Sequence, residues 1–253
     1  MAFGKFSTST NIQAKAAQLS GVDEGLRSFM LRVYSYMTAG LAITGFVAWL
    51  IAGAAVVTDG SGMVVGLTSL GQSLYGSPLG YVAMFAPLGI ILWISFGINR
   101  MKSSTAQTLF WVLAACYGIS LSSIFIAYTG ATIVRVFFIT SSMFLAMSLW
   151  GYTTKKSLVG MGSFLMMGLI GLIIASIVNM FMESSALQFA LSIIGVIIFA
   201  GLTAYDTQML KEIYVEGESG EMSTKKAVMG ALKLYLDFLL LFQYLLMLFA
   251  NRE

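Results

Sequence analysis

Seven long apolar runs constrain the fold of this chain more than any other feature of its sequence. They cover residues 33–56, 79–99, 107–128, 132–152, 161–182, 187–208 and 228–250. Each run is long enough to cross about 30 Å of hydrocarbon as a helix. Lipid offers no hydrogen-bond partners to backbone amides, and a β-barrel would show short alternating segments instead. The expected fold class is therefore all-α, a bundle of seven transmembrane helices.

The composition agrees with a membrane protein and leaves little room for a separate soluble domain. Of the 253 residues, 58% are hydrophobic and only 10% are charged, whereas soluble domains carry about 25% charged residues. The distribution of polar residues predicts an N-terminal tail over residues 1–30 and a single transmembrane domain over residues 31–253.

The basic residues indicate the orientation of the helices, because Lys and Arg are retained in cytoplasmic loops. Only Arg135 and Arg252 fall on the side away from the N-terminus. The other twelve fall on the N-terminal side of the alternating loops: Lys5, Lys15, Arg27, Arg32, Arg100, Lys102, Lys155, Lys156, Lys211, Lys225, Lys226 and Lys233. This bias predicts a cytoplasmic N-terminus and a C-terminus on the opposite face.

The chain contains no histidine and a single cysteine, Cys116. Without histidine, Ser–His and Cys–His nucleophile pairs and His-ligated metals are excluded. Cys116 lies in an apolar run, as a small buried hydrophobic residue would. The net charge of +3 is dispersed along the chain and does not indicate nucleic-acid binding. We therefore expect no catalytic residues, no enzymatic activity and no cofactor.

Two aspartates lie inside the apolar runs, where an ionised carboxylate costs about 2.5–3.5 kcal/mol at a helix centre. Asp206 lies near the end of the sixth run and Asp237 lies inside the seventh. A short connection makes these helices antiparallel neighbours, so the two carboxyl groups can face each other. Such a pair would titrate as a unit and could hold a hard cation such as Ca²⁺. It is the candidate ion pathway and pH sensor.

Two basic residues are candidate electrostatic helpers of this pair. Lys233 lies one turn before Asp237, and Arg100 lies at the cytoplasmic end of the second run. If Lys233 neutralises Asp237, the aspartates would serve helix packing, with Asp206 capping or hydrogen-bonding a neighbouring helix. Arg100 would either extend to the membrane interface or approach the pair. The residues alone leave these alternatives open.

Two further features concern helix packing and loops. The small residues Gly168, Gly171 and Ala175 lie on one side of the fifth run, where another helix could approach closely. Residues 58–80 are rich in Gly and Ser and form the longest loop predicted on the non-cytoplasmic side. This loop could shape an entrance.

Five short motifs resemble a known membrane-protein family. The segments that contain the aspartates are Gly-Leu-Thr-Ala-Tyr-Asp-Thr-Gln at 201–208 and Leu-Tyr-Leu-Asp-Phe at 234–238. Earlier segments are Val-Tyr-Ser-Tyr-Met at 33–37, Leu-Ser-Ser-Ile-Phe at 121–125 and Gly-Tyr-Thr-Thr-Lys-Lys at 151–156. Together they resemble the Bax-inhibitor family, which is defined by the transmembrane Bax inhibitor motif, and in particular its bacterial inner-membrane members. The resemblance covers residues 27–252.

The resemblance implies a bundle with the last helix at its centre and a pH-sensitive calcium leak pathway. Asp206 and Asp237 occupy the positions of the aspartate pair that controls this pathway. Family members are also described as partners of other membrane proteins, including quality-control proteases and cell-death regulators. Some members carry an acidic residue in the second helix, but this chain has none between Leu79 and Asn99. The resemblance therefore does not by itself imply an acidic pore lining by that helix or a given strength of calcium selectivity.

The leading interpretation is a passive, pH-responsive leak channel for Ca²⁺ or cations in general. The alternative is a non-conducting membrane regulator that binds other membrane proteins. An intramembrane aspartyl protease would require Gly-x-Gly-Asp at the second aspartate and a later Pro-Ala-Leu segment, but no proline follows Pro87. A proton-coupled transporter would require an inverted repeat with broken helices, which the sequence does not display.

Overall fold

The computed structural model describes residues 5–59 and 64–250, with side chains over residues 24–59 and 64–249. In this part of the chain the elements are α1 (Lys5–Ala55), β1 (Val56–Thr58), β2 (Val64–Leu67), α2 (Ser69–Tyr75), α3 (Leu79–Gly97), α4 (Ser103–Leu121), α5 (Ile124–Ala127), α6 (Gly130–Thr153), α7 (Val159–Met182), α8 (Ser185–Glu212) and α9 (Gly220–Ala250). Seven segments are long and apolar enough to cross a membrane: α1, α3, α4 with α5, α6, α7, α8 and α9. The predicted all-α bundle of seven spans is confirmed.

Several helices extend beyond the apolar runs that predicted them. Helix α9 begins at Gly220, ahead of the run that opens at residue 228, and α8 continues to Glu212. Helix α1 begins at Lys5 and is continuous with the first span, whose apolar part is found from Glu24. Phe29 and Met30 are buried in the hydrophobic core, so the packed bundle already includes the last residues of the predicted 1–30 tail.

The last two helices form the centre of the bundle. Helix α9 packs against α8, α1, α6 and α4, and α8 packs in addition against α6 and α7. Half of the apolar window of α8 and of α9 is buried, compared with 11% for α3, which packs mainly on α4. The central position of the last helix agrees with the expectation from the family resemblance.

The outer faces of the peripheral helices carry large exposed apolar side chains. Trp49, Phe96, Phe164 and Phe181 all expose more than half of their surface. In water such a surface would be an aggregation liability, but in a bilayer it is the surface that lipid chains cover. The helices therefore imply direct contact with the lipid bilayer.

Close helix approach occurs at glycines other than those expected. A Cβ added at Gly151 of α6 would lie 2.1 Å from the carbonyl oxygen of Ala204 in α8, so these backbones are in direct contact. In α7, Gly168 faces Ile198 of α8 at 3.2 Å, whereas Gly171 faces open space. Ala175 also packs against the hydrophobic core. The expected helix approach on this side of α7 is thus met at Gly168 and Ala175 but not at Gly171.

The loop predicted over residues 58–80 contains regular structure. β1 and β2 pair antiparallel, with Val56 opposite Leu67 and Val57 opposite Gly66. Thr68 then caps α2 by accepting a hydrogen bond from the Gly71 amide at 3.2 Å. A cavity of about 530 Å³ lies between this segment and α4, lined by residues that include Tyr75 and Ser120. An entrance role for the loop stays a prediction.

Candidate ion-pathway site

The aspartate pair lies between the two central helices. Asp206 belongs to α8 and Asp237 to α9, and the short connection over residues 213–219 makes these helices antiparallel neighbours. The two carboxyl groups are close enough for a hydrogen bond between them when one carries a proton. The structure thus brings together the two residues that the sequence singled out.

Asp237 occupies the more buried of the two positions. Only 5% of the surface of Asp237 is exposed. The side chains near it on α9 are fully buried, including those of Leu234, Tyr235 and Leu241. Its Oδ2 atom is fully buried and has no hydrogen-bond partner among the described residues. An ionised oxygen without a partner in such a site carries a large desolvation cost. Whether the Asp237 carboxyl is ionised or protonated therefore depends on the groups that surround it.

Asp206 has a cationic partner and lies closer to the surface. Its Oδ1 atom lies 3.4 Å from the Lys233 ammonium nitrogen, and the Lys233 side chain is 51% exposed. The sequence offered Lys233 as the neutralising partner of Asp237, but the ion pair is made with Asp206. Among the described residues, Lys233 makes no ion pair with Asp237.

Arg100 lies away from the pair. It is exposed in the connection between α3 and α4, and α3 packs on α4 rather than on the two central helices. In the described part of the chain, the ion pair made by the aspartates is the one between Asp206 and Lys233. The structure therefore does not bring Arg100 to the aspartates in this conformation.

A chain of hydroxyl groups, which the sequence analysis did not single out, connects three helices next to Asp206. Thr207 of α8 lies 3.0 Å from the Ser148 hydroxyl of α6 and donates to the Thr203 carbonyl at 2.7 Å. Ser148 in turn bonds to the Tyr34 hydroxyl of α1. The signal available in the sequence was the presence of hydroxyl residues inside apolar runs, where each needs a partner.

Gln208 fixes the end of α8 to the connection between α6 and α7. Its side-chain oxygen accepts from the Leu158 amide at 2.7 Å, and its side-chain nitrogen donates to the Lys156 carbonyl at 2.9 Å. One turn later, Lys211 donates to the Tyr152 carbonyl at 3.0 Å. The helix that carries Asp206 is therefore held at this end to the connection between α6 and α7.

Within residues 24–59 and 64–249, the aspartate pair does not belong to a larger acidic cluster. Among the described residues, no group of three or more Cys, Asp or Glu side chains converges as a metal site. Two carboxylates supply at most four oxygens, and Ca²⁺ takes about six to eight. A bound Ca²⁺ would have to draw its remaining ligands from water or backbone carbonyls.

A buried carboxyl pair between the central helices of a seven-span bundle defines a multi-pass integral membrane protein with an intramembrane ionisable site. The chain belongs to the Bax-inhibitor family, since the family described as "Inhibitor of apoptosis-promoting Bax1" matches residues 26–253. The resemblance inferred from the five motifs is confirmed.

Curated relatives cover nearly the same span. Protein RP147 of Rickettsia prowazekii is 47% identical over 231 residues, which is 91% of this chain and 92% of the relative. The inner membrane protein YbhL of Escherichia coli strain K12 is 42% identical over 232 residues, covering 90% and 94%. Together with the seven spans, this relative supports the predicted location of the chain as a multi-pass protein of the inner membrane.

Proposed function

We propose that the protein is a pH-responsive leak channel for Ca²⁺ or other cations, with Asp206 and Asp237 as sensor and transient ion ligands. The observation that supports this most is the Asp237 carboxyl, which is buried beside a second carboxyl and leaves one oxygen without a partner. Ionisable groups at membrane depth are costly and mark ion or proton pathways by default.

Proton occupancy of the pair is the proposed control variable. When one carboxyl carries a proton, the two can hydrogen-bond and hold α8 and α9 together. When both are ionised, they repel each other or recruit a cation. Two unit charges about 4 Å apart repel by about 4 kcal/mol at an effective dielectric of about 20. That energy is large enough to shift a two-state equilibrium strongly.

In this proposal the described conformation corresponds to the closed state. Tyr235 and Phe238, on either side of Asp237 along α9, are both buried, and Asp237 itself is almost inaccessible. The exposed Lys233 ammonium lies against Asp206 on the more accessible side. A cation that enters from that side would have to displace this ammonium group. Opening therefore requires a change at Lys233 as well as at the carboxyls.

In this proposal Ca²⁺ is the transported ion and the protein is neither an enzyme nor a cofactor-dependent protein. The four carboxylate oxygens are too few for a closed calcium cage, which suits an ion that keeps part of its water and passes on.

The second candidate is a non-conducting regulator that binds other membrane proteins. The Lys233–Asp206 ion pair favours it, because a neutralised aspartate between two helices is also what a purely structural role requires. In that case the Oδ2 atom of Asp237 would lack a partner only because of the way the helices pack, and it would have no role in conduction.

Calcium flux into liposomes that contain only the purified protein separates the two candidates. A calcium dye trapped inside the liposomes reports entry at acidic and at neutral pH. Flux above that of protein-free liposomes, with a rate that changes with pH, is the expected result. Rates equal to those of protein-free liposomes at every pH would overturn the channel proposal and favour the regulator.

A further inference from the structure

A long apolar groove opens laterally between α1 and α6. Its volume is about 970 Å³, and it is lined by α1 from Arg27 to Gly45 and by α6 from Phe137 to Tyr152. Phe238 of α9 lines it as well, and both flanking helices pack on α9. The groove therefore has two helical walls and a floor formed by the central helix.

The groove exists because α1 and α6 both pack on α9 but touch each other little in the described part of the chain. The hydrogen bond between Tyr34 and Ser148, which both line the groove, joins the two walls at one point. The wall formed by α1 carries the small residues Thr38, Ala42 and Gly45, and a Cβ added at Gly45 would meet no atom within 4 Å. Since the groove lies at membrane depth and is lined mainly by apolar side chains, an apolar chain rather than water fits it.

One end of the groove is cationic. Arg27 and Tyr152 line that end, and Lys211 lies on Tyr152, with its ammonium nitrogen 3.0 Å from the carbonyl oxygen and 5.4 Å from the ring centroid. Lys155 and Lys156 are exposed just beyond the end of α6. The acidic residues nearest along these segments are Asp23, Glu24 and Glu212. Against them stand Arg27, Lys155, Lys156 and Lys211, so positive charge is in excess by one at this end.

The length of the groove matches a lipid. At 1.5 Å per residue, the stretch of α1 from Arg27 to Gly45 spans roughly 27 Å. That distance covers a headgroup layer and the roughly 15 Å of hydrocarbon that belongs to one leaflet. Basic pockets between membrane helices at headgroup level are suited to anionic headgroups.

We propose that this groove binds one anionic phospholipid of the leaflet on the side of Arg27. The phosphate lies at the cationic end, against Arg27 and the neighbouring lysines, and an acyl chain lies between α1 and α6 over Phe238. The charge at the end of the groove selects an anionic phospholipid over a zwitterionic one or an uncharged apolar helix. This proposal does not depend on ion conduction.

Native mass spectrometry of the purified full-length protein, titrated with phosphatidylglycerol or phosphatidylcholine, measures the binding directly. Two matched pairs of variants locate it. Arg27→Gln is compared with Arg32→Gln, since Arg32 is at the same end of α1 but lines another surface, beside Tyr214. Gly45→Phe is compared with Gly53→Phe, because an added Cβ at Gly53 also meets nothing within 4 Å but lies outside the groove.

The expected result is one tightly bound phosphatidylglycerol on the parent protein and markedly weaker binding of phosphatidylcholine. Arg27→Gln should weaken binding about fivefold, the usual contribution of one basic residue at a membrane surface. Gly45→Phe should remove most of the binding, because the ring fills the groove. Arg32→Gln and Gly53→Phe should bind as the parent does.

Three outcomes would overturn the proposal. The first is equal affinity for both lipids, and the second is equal affinity in the two members of each matched pair. The third is a dimer of the parent protein that Gly45→Phe dissociates, since a second copy of the chain would then fill the groove. Thermal melting monitors folding, and if Gly45→Phe does not fold, the two arginine variants decide the question.

Discussion

Lys233 lies one helical turn before Asp237 on α9, yet its ammonium nitrogen is paired with Asp206 on α8, at 3.4 Å. The cation therefore connects the two central helices instead of neutralising the aspartate of its own helix. Asp206 gains a partner, while the Oδ2 atom of Asp237 has none among the described residues. The two carboxyls are thus chemically different, and substitutions at these three positions should have separable effects.

Asparagine at either aspartate should flatten the pH dependence of calcium flux. Asp206→Asn and Asp237→Asn keep the size and hydrogen-bonding capacity of the side chain but remove its ionisation. The double variant should add little, because the two residues act as one unit. Liposome flux measured over a pH series tests this, with Glu221→Gln as control, since Glu221 pairs with Lys225 at the exposed start of α9. A parental pH profile in correctly inserted Asn variants would make the pair structural.

Removal of the Lys233 charge should increase calcium flux several-fold at a fixed pH. A fixed ammonium group at Asp206 competes with an incoming cation, so Lys233→Gln frees the carboxylate whereas Lys233→Arg keeps the charge. The fold should lose no more than about 1 kcal/mol, because the Lys233 side chain is half exposed and such ion pairs contribute little. Lys225→Gln, which removes a paired lysine charge at the start of the same helix, is the control. Equal flux in Lys233→Gln, Lys233→Arg and parent would exclude Lys233 from the pathway.

Alanine at Gly151 should destabilise the bundle by about 1–3 kcal/mol, the usual cost of overpacking a well-packed contact. The added Cβ would collide with the Ala204 carbonyl oxygen and force α6 away from α8. Gly171→Ala in α7 is the control, because its Cβ meets open space and alanine favours a helix by up to about 1 kcal/mol over glycine. Thermal melting in detergent measures both, and an unchanged melting temperature for Gly151→Ala would contradict the observed backbone contact.

The N-terminus and residues 100–106, 153–160 and 212–227 should face the cytoplasm, and the C-terminus should not. This prediction rests on the excess of Lys and Arg residues on the N-terminal side of the alternating loops. The structure places the beginning of the first span and the end of α8 together, because the rings of Phe29 and Tyr214 lie 5.8 Å apart. Reporter fusions after Glu253 and within residues 212–227 test the orientation. Two fusions that report the same side would be incompatible with seven crossings.

The sequence by itself determined the span count and the two aspartates. The length of an apolar run decides whether it crosses the membrane, because a helix in lipid must make all of its backbone hydrogen bonds within itself. The spans can therefore be predicted without knowing any long-range contact. Asp206 and Asp237 stand out for the same reason, because a carboxyl inside an apolar run is costly wherever its neighbours lie. Their pairing followed from the short connection between the last two helices.

Only the tertiary structure decided which groups meet around the pair. Lys233 could reach either aspartate from its position in the sequence, and the rotation of α8 against α9 selects Asp206. The hydroxyl chain from Tyr34 through Ser148 to Thr207 joins residues from three helices. The groove between α1 and α6 likewise depends on the distance between these two helices where both pack on α9. These features arise from helix rotation and spacing, which side-chain packing sets and local sequence patterns do not encode.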